Sequence, residues 1–451
     1  MKIVIVGVGK LGEYLAHELV NDNNEITLVD LDFYGKEYLI NNEDVNYIEG
    51  NGVDYDILKE AGVGSADILI SVMDNDEYNI VSSLIGEKLG VKHTIARIRK
   101  PEYTKLANII KEDLKLSMTI NPEYLTALEI VQTLSIPSAL SATSFLKGKL
   151  EVVSILVKEN SNLNKIKIKN LTKKLDNKVL ICSIEREGKF ILPGGDDIIY
   201  AGDKLNITGT RTGINSFLKF DNLITDKIRN VIISGGSNIA IYLSRSLIEL
   251  GMNVKIIENN KERCKLLSDL LPDALIINGD VSDQNLLHEE GIDEADAFIS
   301  LTSIDEENII HSMFASIVGV KKIITKINHI DLDGVIEKSG VQTIVTPHKV
   351  AANHVVQYLR AMENSGDSIV EAVYKFDDGL EMLQLHVEKE FEGIGIKLKD
   401  LNLKDGILVV AIGREKNIII PNGNDVILEN DTLVIRNGND YPLKNLNDII
   451  G

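Results

Sequence analysis

Lys2-Ile3-Val4-Ile5-Val6-Gly7-Val8-Gly9-Lys10-Leu11-Gly12 decides the fold. An apolar run as short as Lys2 to Val6 reads as a strand buried on both faces, and the glycines that follow open a helix predicted to run through Val20. Gly-x-Gly-x-x-Gly between a strand and a helix has a physical meaning that the glycines lack alone. Free backbone amides and the helix dipole converge there on a phosphate. Gly7 makes the turn, Gly9 admits a pyrophosphate and Gly12 lets the helix pack closely. Asp30 follows at the end of the second predicted strand, where its carboxylate can accept both ribose hydroxyls and repels a 2′-phosphate. NAD(H), ATP or ADP fit this pattern, and NADP(H) does not.

The same unit is written twice. Val231-Ile232-Ile233-Ser234-Gly235-Gly236-Ser237 repeats the opening run, with Gly7 recurring 228 positions on as Gly235. Gly50 to Gly62 recurs as Gly279 to Gly291, Asp76-Glu77-Tyr78-Asn79 as Asp305-Glu306-Glu307-Asn308, and Pro193-Gly194-Gly195 as Pro421-Asn422-Gly423. A register held over some two hundred residues marks a duplication, because solenoid repeats are several times shorter.

Within each half the pattern changes once. Predicted strands at Lys2 to Val6, Glu25 to Val29, Val45 to Glu49, Ala66 to Val72, His93 to Arg97 and Leu116 to Ile120 alternate with amphipathic stretches, which is the signature of a doubly wound parallel sheet. After a helix at Pro122 to Leu134, the segment Ile136 to Thr143 reads as a linker of small residues. Short alternating strands follow at Leu150 to Val157, Lys178 to Ile184, Lys189 to Leu192 and Lys204 to Ile207. The expected fold class is α/β, with two Rossmann-like doubly wound parallel-sheet domains, each followed by a small α+β domain. The expected boundaries are 1–135, 143–219, 229–362 and 367–451, with Phe220 to Ile228 joining the halves and Gly366-Asp367 marking the last boundary.

The second glycine turn departs from the first. It reads Gly235-Gly236-Ser237-Asn238-Ile239-Ala240, with Glu258 standing where Asp30 stands. A Cβ at Ser237 obstructs a pyrophosphate. Three readings stay open for this second site: weaker binding, a smaller nucleotide, or a scaffold without ligand. Arg97 ends the fifth strand at the carboxyl edge of the first sheet, where ligands sit in this fold; a ligand phosphate is its expected partner, with a surface salt bridge as the alternative.

Composition narrows the function classes. The 451 residues carry 48 Lys and Arg against 68 Asp and Glu, a net charge of −20 and a sequence pI near 4.9. Such a polyanion repels nucleic acid and anionic lipid, and no basic cluster offsets it. No apolar stretch approaches the roughly eighteen residues that span a bilayer, and Met1-Lys2-Ile3-Val4 leads directly into a strand, so a cytosolic location is expected. Cys182 and Cys264 are too far apart and too few for a disulfide framework or zinc site and read as buried hydrophobes.

Catalytic machinery is not found. His17, His93, His288, His311, His329, His348, His354 and His386 form no ligand motif, and neither a nucleophile elbow nor a Walker lysine is present. The runs Asp74 to Glu77 and Asp305 to Glu307 read as helix N-terminal charge, with a divalent cation beside bound phosphates as the alternative. An oxidoreductase would use the same Gly7 to Gly12 and Asp30, yet lacks a visible acid or base and a substrate domain. Nucleotide binding without chemistry points to a sensor and not to an enzyme.

The duplicated strand-glycine-helix domain, with Gly50-Asn51-Gly52, Asp76-Glu77-Tyr78-Asn79 and Thr94-Ile95-Ala96-Arg97, closely resembles the TrkA family of regulatory subunits of bacterial Trk potassium uptake. The resemblance covers the whole chain as two RCK nucleotide-binding domains, each followed by a C-terminal RCK domain. It implies NAD(H) and/or ATP/ADP contacts at Gly7, Val8, Gly9, Lys10, Leu11, Gly12, Asp30, Asn51, Met73, Asp74 and Arg97. In the second half it implies Gly235, Gly236, Ser237, Asn238, Ile239, Glu258, Asp280, Thr302, Ser303 and Lys326, where a lysine replaces the forked guanidinium of Arg97. It also implies a homotetrameric ring beneath a TrkH/TrkG-like potassium-translocating membrane subunit, a cytoplasmic location at the inner face of the membrane through that partner, and gating by ring conformational change. The small domains are expected to make dimer contacts; related RCK proteins bind a cyclic dinucleotide there, and no motif here identifies one. A regulator of another cation transporter, such as an antiporter, is the remaining alternative.

Overall fold

The computed structural model describes residues 1–451 except 21–23, 35, 37–38, 40–44, 101–102, 104–115, 147, 176–177, 224–226, 329–342, 364–369, 376–380 and 439–445. His329, Gly366-Asp367 and part of the join between the halves lie outside the described residues.

The first half opens with β1 (Lys2–Val6), α1 (Lys10–Val20), β2 (Glu25–Asp30), β3 (Val45–Glu49), α2 (Tyr55–Glu60), β4 (Ile68–Ser71), α3 (Asp76–Leu89), β5 (His93–Arg97), β6 (Met118–Ile120) and α4 (Pro122–Leu134). Its six strands pair in the order β3-β2-β1-β4-β5-β6, and every pairing is parallel. The strand order reverses beside β1, so the carboxyl ends of β1 and β4 bound a crevice. Ile3 to Val6 are all buried, as a central strand covered on both faces requires. In α1, Leu11, Leu15 and Leu19 recur every fourth residue and are buried.

A small antiparallel domain follows, with β7 (Ser141–Phe145), β8 (Leu150–Leu156), α5 (Ile168–Lys174), β9 (Val179–Arg186), β10 (Lys189–Ile191), β11 (Lys204–Gly209) and α6 (Arg211–Phe220) in the strand order β10-β9-β11-β8-β7. The segment read as a linker is partly strand: β7 pairs antiparallel with β8 from Ser141 to Phe145. Ile136, Ala139 and Ala142 are buried in the small domain's core, so this segment is a packed edge.

The second half repeats both layers. Its parallel part runs β12 (Asn230–Ser234), α7 (Asn238–Glu249), β13 (Asn253–Glu258), α8 (Lys261–Leu270), β14 (Leu275–Asn278), α9 (Gln284–Glu289), β15 (Ala297–Ser300), α10 (Asp305–Val318), β16 (Lys322–Lys326), β17 (Thr343–Val345) and α11 (Pro347–Glu363). The order β14-β13-β12-β15-β16-β17 copies the first sheet. The last sheet, β18 (Val370–Lys375), β19 (Glu381–His386), β20 (Ile407–Arg414), β21 (Asn417–Ile419) and β22 (Thr432–Asn437), has the order β18-β19-β22-β20-β21, that of the first small sheet under the repeat.

Contacts divide the chain into two compact units: Met1–Ala127 with Thr346–Val356, and Leu128–Val345 with Gln357–Gly451. In the first unit, His348 from α11 meets Tyr14 of α1 edge-on, with ring centroids 6.1 Å apart. In the second, the two small sheets share one apolar layer formed by Phe145, Leu150, Val152 and Cys182 with Met382, Val410, Ala411 and Val434. Cys182 is fully buried there, and burial pushes its thiol up to about 12. Both cysteines are free and buried.

Candidate nucleotide sites

In the first half the glycine turn leaves β1 and enters α1. Gly7 has a φ of +96°, and a Cβ there would lie 2.6 Å from the Met73 nitrogen. At Gly12 a Cβ would lie 2.0 Å from the Gly7 carbonyl oxygen, whereas one at Gly9 would meet nothing within 4 Å. Two glycines therefore serve the backbone, and the middle one faces open space on the side where a phosphate would approach. Lys10 is exposed and Leu11 is buried against the helix's inner face.

Asp30 reaches back over the turn. Its Oδ2 accepts a hydrogen bond from the Val8 amide, and its Oδ1 accepts from the Asp32 amide at 3.2 Å. Across the crevice, Arg97 is buried, and its Nη2 donates to the Met73 carbonyl at 2.7 Å and to Asp74 Oδ1 at 2.9 Å. Its Nε is buried without a hydrogen-bond partner among the described residues. An orphaned guanidinium nitrogen at the carboxyl edge of the sheet that also carries the glycine turn fits a phosphate-bearing ligand. Asn51 holds the β3–α2 turn, accepting from the Val53 amide at 3.1 Å, and Met73 packs over Gly52, where a Cβ would come within 2.9 Å of the Met73 sulfur.

The acidic runs do sit in the first turns of α3 and α10, as the helix N-terminal reading expects, and two of their acids are also brackets. Asp76 is buried, and its Oδ2 accepts the amides of Arg99 and Lys100 at 2.8 and 2.9 Å. Asp305 accepts from the Asn328 amide and side chain, each at 2.9 Å. No grouping of His, Cys, Asp and Glu suited to a metal occurs among the described residues. Beside them, buried Asn79 accepts the Met73 amide at 2.8 Å and donates to the Met73 and Arg97 carbonyls at 2.9 and 3.0 Å. Asn308 does the same for Thr302 and Lys326. These asparagines tie the ends of neighbouring strands together below the ligand crevice, and their recurrence in both halves was the available signal.

The second half forms a cavity of about 580 Å³ lined by Gly235, Gly236, Ser237, Asn238, Glu258, Asp280, Thr302 and Ser303, among others. Ile239 is buried in α7 and Lys326 in the sheet, and neither lines it. Glu258 copies Asp30: its Oε2 accepts the Gly236 amide at 2.7 Å and its Oε1 the Asn260 amide at 2.8 Å. Ser237 does not copy Gly9. It is the N-cap of α7, with its Oγ accepting from the Ala240 amide at 3.3 Å. The Asp280 carboxyl is held below the usual range by bonds from the Ser282 amide and hydroxyl.

Arg263 and His311 also line the cavity, and neither is among the expected contacts. Arg263 of α8 donates from Nε to the Gly236 carbonyl at 2.6 Å and from Nη2 to Asn238 Oδ1 at 3.0 Å. His311 of α10 is buried with its Nδ1 3.3 Å from Ser234 Oγ, and burial lowers its pKa against the opposing pull of Glu307 and Asp280.

The TrkA-N domain family matches residues 3–122 and 231–347, and the TrkA-C domain family matches 152–221 and 393–436. The chain is 32% identical to the Trk system potassium uptake protein TrkA homolog of Archaeoglobus fulgidus over 96% of each chain. It is 31% identical to the Trk system potassium uptake protein TrkA of Haemophilus influenzae, covering 96% of this chain and 95% of that one. Among solved structures, the GsuK RCK domain superposes with a TM-score of 0.62 at 17% identity, over 97% of this chain and 92% of its own. The GsuK channel bound to NAD gives the same score and identity, over 97% of this chain and 77% of its own. These two likenesses concern the fold.

Proposed function

This chain belongs to the TrkA family, and from that premise we propose that it is a nucleotide-sensing regulatory subunit of a potassium uptake system. The observation that carries the reading is the pair of glycine turns, each crossed by a carboxylate bonded to a turn amide, Asp30 to Val8 and Glu258 to Gly236. NAD(H) and/or ATP/ADP would lie along these turns. In the first half Asp30 would orient the ribose, Arg97 and the turn amides beyond Val8 would receive the phosphates, and Asn51, Met73 and Asp74 would border the crevice. The reading needs no group that makes or breaks a covalent bond.

The chain's division at 1–135, 143–219, 229–362 and 367–451 belongs to this reading, with two sensing domains and two small domains that serve pairing. A nucleotide gates only through its different affinity for two shapes of the assembly, worth about 1–3 kcal/mol per site. The partner would be a TrkH/TrkG-like membrane subunit at the cytoplasmic face. No helix among the described residues is long and apolar enough to cross a membrane, and a chain of net charge −20 is drawn to the Lys- and Arg-rich inner loops of membrane proteins. The assembly would be a homotetrameric ring; a contact surface for it is supported by α10, which exposes Ile310, Met313 and Ile317 along one stripe, with Ile317 82% exposed.

Calorimetric titration of the full chain with NADH, NADPH, ATP and ADP tests the reading. Binding of NADH or the adenine nucleotides with rejection of NADPH, and its weakening by Asp30→Ala, is expected. No binding of any of the four would overturn the sensor and leave an assembly scaffold.

A further inference from the structure

We propose that Arg263 is the phosphate-binding group of the second cavity, and that this cavity takes a nucleoside diphosphate through it in place of open glycine-turn amides. The proposal rests on the nucleotide-sensing reading and assigns the second site a different way of holding phosphate.

Three observations converge. Ser237 commits the Ala240 amide to its own hydroxyl, and its Cβ stands where Gly9 leaves open space, so the turn has lost part of its anion-binding surface. Lys326, at the place of Arg97, does not line the cavity. Among the described residues that do, Arg263 is the one lysine or arginine, against the carboxylates of Glu258, Asp280 and Glu307. An anion entering this cavity therefore meets repulsion from three carboxylates and attraction from Arg263.

The guanidinium is also held in place. Two of its nitrogens are anchored to the turn, Nε on the Gly236 carbonyl and Nη2 on Asn238, while Nη1 bonds no described residue. The planar fork is thus fixed across the glycine turn with one donor nitrogen left for a ligand, an arrangement in which little further side-chain entropy is lost on binding. The helix that carries it is pressed against the turn: a Cβ at Gly236 would lie 2.4 Å from Leu267 Cδ1 of the same α8. Gly236 is therefore a packing requirement of the helix that delivers Arg263.

The test isolates the second site with Asp30→Ala and titrates ADP and adenosine calorimetrically into the full chain. Adding Arg263→Gln should weaken ADP by about tenfold or more while changing adenosine by less than about threefold, because one charge-assisted contact to phosphate is lost. Arg263→Lys, which keeps the charge, should recover part of the ADP affinity and guards against a folding defect in the glutamine variant. Equal weakening of both ligands would make Arg263 a structural latch and overturn the proposal, as would unchanged ADP affinity. If the parent chain binds one nucleotide and the Asp30→Ala chain binds no ADP, this proposal fails while the sensing reading stands. If the parent chain binds none, the sensing reading itself fails.

Discussion

Lys322 Nζ donates a hydrogen bond to the carbonyl oxygen of Ala139, 183 positions earlier in the chain, and both residues are buried. The same ammonium meets Thr343 Oγ1 at 3.1 Å, and that hydroxyl donates to the Leu140 carbonyl at 3.0 Å. A single lysine on β16 thus gathers the segment that joins the first half's two layers. Burial lowers its pKa to about 7, with no ion pair to it among the described residues.

Stability should consequently rise with pH. Unfolded, Lys322 titrates near 10.4, so between about pH 7 and 10 the unfolded chain holds a proton that the folded chain lacks. The burial penalty is full below pH 7 and fades toward pH 10. Lys322→Met should flatten this slope in denaturant unfolding measured at several pH values. An unchanged slope in the variant would assign it to another group.

The glycines of the first turn should separate by role. Gly12→Ala places a Cβ 2.0 Å from the Gly7 oxygen and should destabilise the first unit by about 2 kcal/mol. Gly9→Ser meets no neighbour and should leave thermal stability nearly unchanged while weakening nucleotide binding, since it imports the capping serine of the second turn. The result to look for is affinity loss without a drop in Tm; loss of both together would count against the assignment.

Asn79→Ala should cost about 2–4 kcal/mol, because it strips partners from the Met73 amide and from the Met73 and Arg97 carbonyls in a buried setting. It should also weaken nucleotide binding in the first half, through displacement of Met73 and Arg97, and leave the second site's ADP affinity as it was. Parallel titrations with Asn79→Ala and Asn308→Ala check this. Identical effects of the two variants on both sites would sink the local-bracket account.

Ile317→Glu should shift the chain to smaller oligomers in sedimentation without lowering its Tm. The side chain is exposed in the single chain, so a charge there disturbs a neighbour and not the core. A sedimentation profile that matches the parent would remove α10 from the assembly surface.

Much of this architecture was legible because parallel strands are short apolar runs and the duplication repeats their spacing. Helix α4 at Pro122–Leu134 and strands β1, β3 and β5 fall where periodicity and glycine punctuation put them. Strand β7 was not legible: Ser141-Ala142-Thr143-Ser144-Phe145 has small side chains where strands usually show branched ones, and it is held by pairing to β8. The acids of the two Asp-Glu blocks look like helix-end charge, and only the packed structure reveals Asp76 and Asp305 as acceptors for backbone amides 23 residues on. Arg263 escaped because comparing the halves emphasises what they share. Its partners in the glycine turn lie 25 and 27 residues away, with no periodic signal linking them.

The apolar layer shared by the two small sheets lies within one polypeptide. A symmetric homodimer could not keep Gly9 in one partner and Ser237 in the other, because one gene would write both. Fusion removes that constraint. Each half can diverge while every molecule carries one copy of each kind, so the ratio of the two site types is set by the covalent chain and is independent of expression level or subunit exchange.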